Sequence, residues 1–515
     1  MAQSATSHLF GESAIDAPRP MRVVVVGAGF SGIIAGIRFL QHVPNVQLTI
    51  YEALSGIGGT WFANKYPGLA CDIPAHCYQL TFHEKTDWSS FYARGLRCAD
   101  FQSIAVLRRA HFPVTEIQAY LESVVDKYNL RPFIQLEHRL TSAVYSEATG
   151  KWNLTIQRPN KASEGEPDGE TGEGDVSSPW EDTVESWKDK RVGVIGVGSS
   201  AIQIVPALQP KVRHLNNYVR GKTWISSPFL GERAEKLGMG KTESNYIFTD
   251  KDKELFKDPA YYKEFRRDLE SDLNSIHVVT LKGHPVQEGG RAAFKADMLK
   301  RLETHPAIAE HLIPDFPVGC RRLTPGPGYL EAICQDNVEF IPTEIKQILP
   351  NGIERVDGKI DELDIISLGP NSAVGSGSLL IVIERQVQYA VEATLKLQRE
   401  HLKSMDVKPE AVADWDAYIE HHFAKTVFSE RCRSWYKQGM YEGRVVALWP
   451  GSCLHAVRAL EHPRWEDYTY EPLDGHTNRF FWAGNGTTIA EETPGADRAW
   501  YLSEGEVDFP PVPLH

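Results

Sequence analysis

MRVVVVGAGFSGIIAGIRFLQHVPNVQLTIYE, residues 21 to 52, is the stretch whose reading decides the fold. An apolar run, Val23 to Val26, leads straight into Gly27, Gly29 and Gly32; a helix-like stretch follows, and a second apolar run closes on Glu52. Strand, glycine loop, helix, strand and acid make a dinucleotide-binding unit. Gly27 allows the tight turn, Gly29 lets backbone N–H groups approach a pyrophosphate, and Gly32 lets the helix pack close to the sheet. The helix N-terminus then faces the phosphates with the positive end of its dipole. Glu52 lies 20 residues after Gly32, where a carboxylate can accept hydrogen bonds from a ribose.

A second unit of the same kind begins at Lys190, KRVGVIGVGSSAIQIVPAL. Val192 to Ile195 form its strand and Gly196 and Gly198 its turn, with Ser199, Ser200 and Gln203 opening the helix; Ala201 takes the third glycine position and is small enough for close packing. The next strand, about Val212 to Val219, ends on Arg220 and carries no acid. A guanidinium there suits a 2′-phosphate, because Arg binds phosphate oxygens in pairs. The expected second cofactor is therefore NADPH and not NADH.

With 515 residues, 42% hydrophobic and 24% charged, the chain is long enough for two or three globular domains. A formal net charge of −13 argues against a nucleic-acid binder and against an anionic membrane surface. Seven scattered cysteines with no CxxC pair read as reduced thiols in the cytoplasm, with no metal site. The first 20 residues read as a flexible arm with no signal peptide, and no apolar run has the length of a membrane span.

After the first unit comes GGTWFANKYPGLACDIPAHCYQLTF, Gly58 to Phe82. Gly58 and Gly59 permit close approach to a flat ligand, Trp61 and Tyr78 offer stacking surfaces, and Asp72 is a charge among apolar neighbours. GAGFSG followed by GGTW and YPGLACDIP resembles the Baeyer–Villiger branch of the flavin-containing monooxygenases. The resemblance implies that the first unit holds FAD, with Glu52, Gly59, Thr60, Trp61, Asp72 and Tyr78 contacting it. VIGVGSSAIQ likewise resembles the family's nicotinamide domain. In FPVGCRRLTPGPGYLEAICQDNVEFI, from Phe316, the resemblance makes Arg322 the catalytic arginine that stabilises the peroxyflavin, with Asp72 nearby, and leaves Arg321 a structural role. A cation is wanted there, because the peroxide is an anion and its ketone adduct carries oxyanion character.

The implied activity is insertion of one oxygen of O2 beside the carbonyl of a ketone, giving an ester or lactone, in fungal-type secondary metabolism. An N- or S-oxidising flavin monooxygenase and a non-catalytic dinucleotide-binding protein are the alternatives. The expected fold is α/β with two Rossmann-like dinucleotide-binding domains. Residues 21–160 form the first part of the FAD domain, and 161–187 an acidic loop. Residues 188–345 form the NADPH domain with a helical insert over about 226–311, and 346–515 the second part of the FAD domain and the C-terminal segment. Residues 84 to 130 read as mainly helical, and GPNS, from Gly369, as a turn opening a long helix.

The chain departs from the family pattern at three places. Ala70 stands where many members have Arg two residues before the Asp. The signature F-x-G-x-x-x-H-x-x-x-W before the second glycine unit is missing, with only Trp180 to represent it, and DIISL meets GPNS without the usual ATGF segment. Both gaps fall at linkers between the two cofactor domains. The intact neighbouring motifs favour a mis-assembled reading frame over a diverged chain without oxygenase function.

Overall fold

The computed structural model describes residues 11–94, 115–158, 187–239, 245–321, 323–349, 352–356, 360–362, 365–368, 377–437, 439–503 and 506. The first unit folds as read: β1 (Met21–Val26), α1 (Phe30–His42) and β2 (Val46–Tyr51), then the short α2 (Thr60–Ala63), α3 (Glu116–Lys127) and β3 (Ile134–Gln135). β1, β2 and β3 form a parallel sheet in that order. Ile33, Ile34 and Ile50 are fully buried beneath it. Each such side chain contributes roughly 1.5–3 kcal/mol on leaving water. A β-hairpin follows, β4 (Arg139–Ser146) against β5 (Lys151–Gln157).

The second unit comprises β6 (Arg191–Ile195), α4 (Ser199–Leu208) and β7 (His214–Tyr218), with a two-residue strand β8 (Ile225–Ser226) beyond. Its insert is helical as expected: α5 (Gly231–Leu237), α6 (Asp250–Leu255), α7 (Pro259–Ser275), α8 (Pro285–Arg301) and α9 (Pro306–Leu312). The insert does not belong to the second unit alone. Phe248, Phe256, Tyr262, Leu269 and Leu273 pack into the core of the first unit, whereas Met298, Leu302 and Leu312 pack into that of the second.

β9 (Thr324–Pro325) pairs with β8, and after α10 (Tyr329–Ala332) comes β10 (Val338–Ile341). The antiparallel strands β11 (Ile345–Leu349), β12 (Gly352–Arg355) and β13 (Ile360–Glu362) lead to β14 (Ile365–Leu368). β14 lies parallel to β6, completing a four-stranded sheet in the order β10, β7, β6, β14. Ile365–Leu368 thus supply an apolar strand for the open side of β6 in the second unit.

The chain returns to the first unit through α11 (Leu379–Arg399), whose Val391 packs with Phe39 and Val43 of α1. β15 (Leu402–Val407), α12 (Pro409–Phe423), α13 (Cys453–Ala459) and β16 (Tyr468–Pro472) complete the C-terminal part, with β15 and β16 antiparallel.

Three further expectations are corrected. Residues 84–94 contain no helix: Phe91 N–H donates to Tyr246 O (2.8 Å), Phe248 N–H donates to Ser89 O (3.0 Å), and Asn245 bonds both backbone groups of Tyr92. Pairing with the insert, and burial of Trp88, Phe91 and Tyr92, outweigh the local helix signal. Residues 11–20 are tied down, since Arg19 donates to Leu397 O and Leu402 O and the Ile15 N–H to Thr487 O. The cysteines are not all thiols: Cys320 and Cys432 form a disulfide, with Cα atoms 6.5 Å apart. The acidic loop with Trp180, the GPNS turn and Arg322 lie outside the described residues. No helix among the described residues is long and apolar enough to cross a membrane.

Candidate functional site

Both glycine loops are built the same way. Gly27 N–H donates to Tyr51 O (2.7 Å), and Gly196 N–H to Tyr218 O (2.8 Å), locking each loop to the end of the neighbouring strand. Gly27 and Gly196 have φ of 94° and 107°, a region that favours glycine, and a Cβ on either would meet nothing within 4 Å. A Cβ on Gly32 would lie 1.9 Å from Gly27 O, so helix and loop touch as the spacing predicts. Gly29 and Gly198 are the N-caps of α1 and α4 and offer the first N–H groups no side-chain cap. Val26, at the end of β1, is an apolar strand end 58% exposed. These features fit the pyrophosphates of two dinucleotides.

Glu52 is buried and already engaged: its carboxylate accepts the N–H of Ala28 (2.7 Å) on one oxygen and of Leu54 (2.8 Å) on the other. Each oxygen keeps a second lone pair for a ribose. The same carboxylate thus also fixes the glycine loop. Arg220 sits just past β7 and is largely exposed, with Glu344 3.8 Å away. So exposed a pair is worth little and can yield to a phosphate.

A cavity of about 630 Å³ is lined by residues of both units. The first unit lines it with Thr60, Trp61, Asp72 and Tyr78, and the second with Ser199, Ser200 and Gln203. Gly59, with φ of 56°, brings the GGTW loop against the first glycine loop: a Cβ on it would stand 3.1 Å from the Gly29 Cα. Gly58 N–H donates to Ala28 O (3.1 Å). Trp61 is buried with its Nε1 donating to the Tyr78 hydroxyl (3.4 Å), and Tyr78 meets Phe30 edge to face.

Gln203 joins the units directly. Its Oε1 accepts the Tyr66 hydroxyl (3.2 Å) and the Ala70 N–H (3.4 Å), and its Nε2 donates to Ala70 O (3.1 Å). Where an Arg side chain is usual, the backbone of Ala70 thus bonds to the opposite unit. Ser199 Oγ lies 3.2 Å from Thr324 Oγ1. Asn217 braces the second loop, its Nδ2 donating to Val194 O and Gly196 O.

The remaining wall is mostly apolar: Leu273, Ile276 and Val279 from the insert, Leu379 and Leu380 from the start of α11, and Phe428 and Tyr436 from the C-terminal part. Arg321 also lines it, donating through Nη1 to Lys222 O (2.7 Å), and its burial pulls the guanidinium below its ordinary range. Burial raises Tyr66 and Cys77, disfavouring their anions. One turn before Leu273 on α7, burial pushes the Glu270 carboxyl up to about 7; Arg266 opposes this and Glu384 adds to it.

Sequence reading did not single out Tyr66, Glu270, Phe428 or Tyr436. Tyr66 stood inside the quoted loop, but its partner, Gln203, is 137 residues away. The apolar wall gave no sequence signal, because each segment supplies only one to three residues.

The description "NAD(P)-binding Rossmann-like domain" matches residues 25–94. The chain is 30% identical to the FAD-binding monooxygenase tazF of Aspergillus terreus, across 94% of this chain and 95% of that one. It is 26% identical to a Baeyer–Villiger monooxygenase of Pseudomonas aeruginosa, across 84% and 88%. The alignment with the Aspergillus protein runs over 558 positions, more than the chain's own 515, so that relative carries segments this chain lacks. Among solved structures, OTEMO in complex with FAD and NADP superposes with a TM-score of 0.66 at 16% identity, covering 88% of this chain and all of that one. Cyclohexanone monooxygenase from a Rhodococcus bound to NADP+ superposes at 0.65 and 20% identity, with the same coverage.

Proposed function

Because the chain belongs to the FAD-binding monooxygenases, we propose that it holds FAD in the first unit and NADPH in the second and inserts one oxygen atom of O2 beside the carbonyl of an apolar ketone, giving an ester or lactone. The observation that carries this reading is that one cavity of about 630 Å³ is lined by residues of both dinucleotide units and bordered by an apolar wall.

When bound, FAD supplies the redox and oxygen chemistry. The protein's own residues bind, orient and exclude water. The α1 N-terminus and Glu52 would take the pyrophosphate and ribose of FAD, and Trp61 and Tyr78 would flank its ring. The α4 N-terminus and Arg220 would hold NADPH, with Ser199 and Ser200 at the cavity side. Gln203, bonded across to Ala70, keeps the two units in register so that the cofactors meet. Leu273, Ile276, Val279 and Phe428 present no hydrogen-bonding groups, which favours a hydrocarbon-rich ketone and keeps water from the reacting centre. Arg321 brings a partly desolvated cation to this wall, suited to developing negative charge on oxygen. Arg322 is proposed as the catalytic arginine, with Asp72 nearby, on the strength of the family resemblance. Resemblance to fungal members supports a setting in secondary metabolism.

Product analysis under 18O2 tests the reading. Holoenzyme supplied with NADPH, a cyclic ketone and a thioether is expected to give a lactone carrying one labelled oxygen. Sulfoxide without lactone would point to an S-oxidising enzyme instead. NADPH consumption with neither product would remove the oxygenase assignment.

A further inference from the structure

We propose that the Cys320–Cys432 disulfide is a positioning bond that holds two walls of the cavity together. It pins the turn bearing Gly319 and Arg321 to the C-terminal stretch bearing Phe428 and Tyr436. All four of those residues line the cavity, and the two cysteines stand 112 residues apart in the chain. The bond therefore joins two walls of one space that sequence separation would otherwise leave independent.

The surroundings show why a covalent tie matters here. Phe428 and Tyr436 belong to a small cluster with Phe423 and Val445, separate from the two large cores. That cluster is organised from within: buried Lys437 donates through Nζ to Glu430 O (2.5 Å) and Tyr441 O (2.9 Å). Its polar ties to the insert are modest. They include an isolated bridge between Leu281 and Thr426, and a half-exposed ion pair of Lys282 with Glu430 at 2.9 Å. Such a pair holds little in water. A segment with a small core of its own, apart from the large cores, opens locally more readily than the domain it covers, and the disulfide counters that opening at the cavity wall.

Both cysteines are buried, so the bond is shielded from small thiols while the segment stays docked. In forming it, each thiol loses one proton and one electron as the S–S bond is made. A small-molecule disulfide accepts both protons and both electrons and leaves as two thiols.

The cavity carries its own reporters, because the thiols of Cys71 and Cys77 line it. The first measurement is non-reducing peptide mapping of native holoenzyme after alkylation, which is expected to return the Cys320 and Cys432 peptides linked. Finding both as separately alkylated peptides overturns the proposal. The second is the rate at which N-ethylmaleimide labels Cys71 and Cys77 in the double variant Cys320→Ser, Cys432→Ser, compared with parent at equal FAD loading. Removing the bond is expected to raise this rate about tenfold by easing local opening, while a Cys334→Ser control leaves it unchanged. If the double variant does not accumulate folded, parent protein kept under dithiothreitol from synthesis onward, and freed of it anaerobically just before labelling, provides the bond-free form. Unchanged labelling in a demonstrably bond-free protein overturns the positioning role.

The kinetic arm rests on the proposed oxygenase reading: the ketone KM rises several-fold and NADPH KM holds. If no ketone is turned over, that reading fails, yet the mapping and labelling results still decide the disulfide's role.

Discussion

Arg220 and Glu344 face each other in solvent at the end of β7, where an adenosine 2′-phosphate would arrive. If Arg220 selects the phosphate, Arg220→Ala removes charge-assisted hydrogen bonds worth about 1.5–3 kcal/mol and raises the NADPH KM roughly 10–100-fold. The NADH KM is expected to stay put, and steady-state kinetics with both cofactors checks the split. Glu270 makes a different prediction. Its carboxyl keeps its proton in the folded chain up to about 7 but ionises near 4.5 when unfolded. The stabilisation it gives is full below the unfolded value and is lost as pH rises through the folded one. Glu270→Gln stays neutral throughout, so its melting temperature should exceed the parent's at about pH 8 and match it at about pH 4.5. Thermal melts at the two pH values check the sign. Gly27, Gly29, Gly32 and Glu52 were legible in the sequence because local backbone geometry fixes their spacing. Glu270 was not, since nothing local says that a charged residue on a solvated-looking helix is buried by elements far away in the chain.

At the scale of elements, α7 is the piece that sequence pattern described least well. Its alternating charges are of the kind that suits a solvated helix face, but Leu269 and Leu273 turn inward to the first unit's core. The two leucines do different work. Leu269 is fully buried away from the cavity, so Leu269→Ala should cost about 2–5 kcal/mol of stability through the void it leaves. Leu273 lines the cavity, so Leu273→Trp should shrink the substrate space and raise the ketone KM while FAD affinity holds. Denaturant unfolding and flavin titration separate the two effects. The same contrast explains β14 and residues 84–94. Glycine-loop units are written in their own periodicity, whereas a four-residue edge strand, or an extended stretch held by the insert, takes its state from a distant partner.

Over the whole molecule, the two units, the insert and the C-terminal part meet at one cavity, and each contributes to its wall. The two glycine-loop units of that arrangement had sequence motifs behind them, whereas the apolar wall from the insert and the C-terminal part did not. The missing linker signatures stay consistent with the longer alignment to the Aspergillus relative, and they fall where the two cofactor domains are joined. Transcript sequencing addresses them: reads that restore the signature segments support mis-assembly, and uninterrupted reads of this chain exclude it. The central claim, that these loops assemble a flavin site served by NADPH, is tested most directly by the visible spectrum of the purified chain after incubation with FAD, before and after anaerobic NADPH. The account predicts a yellow protein, with flavin retained through gel filtration and bleached by NADPH much faster than by NADH. A colourless protein, or bound flavin that NADPH leaves oxidised, would contradict it.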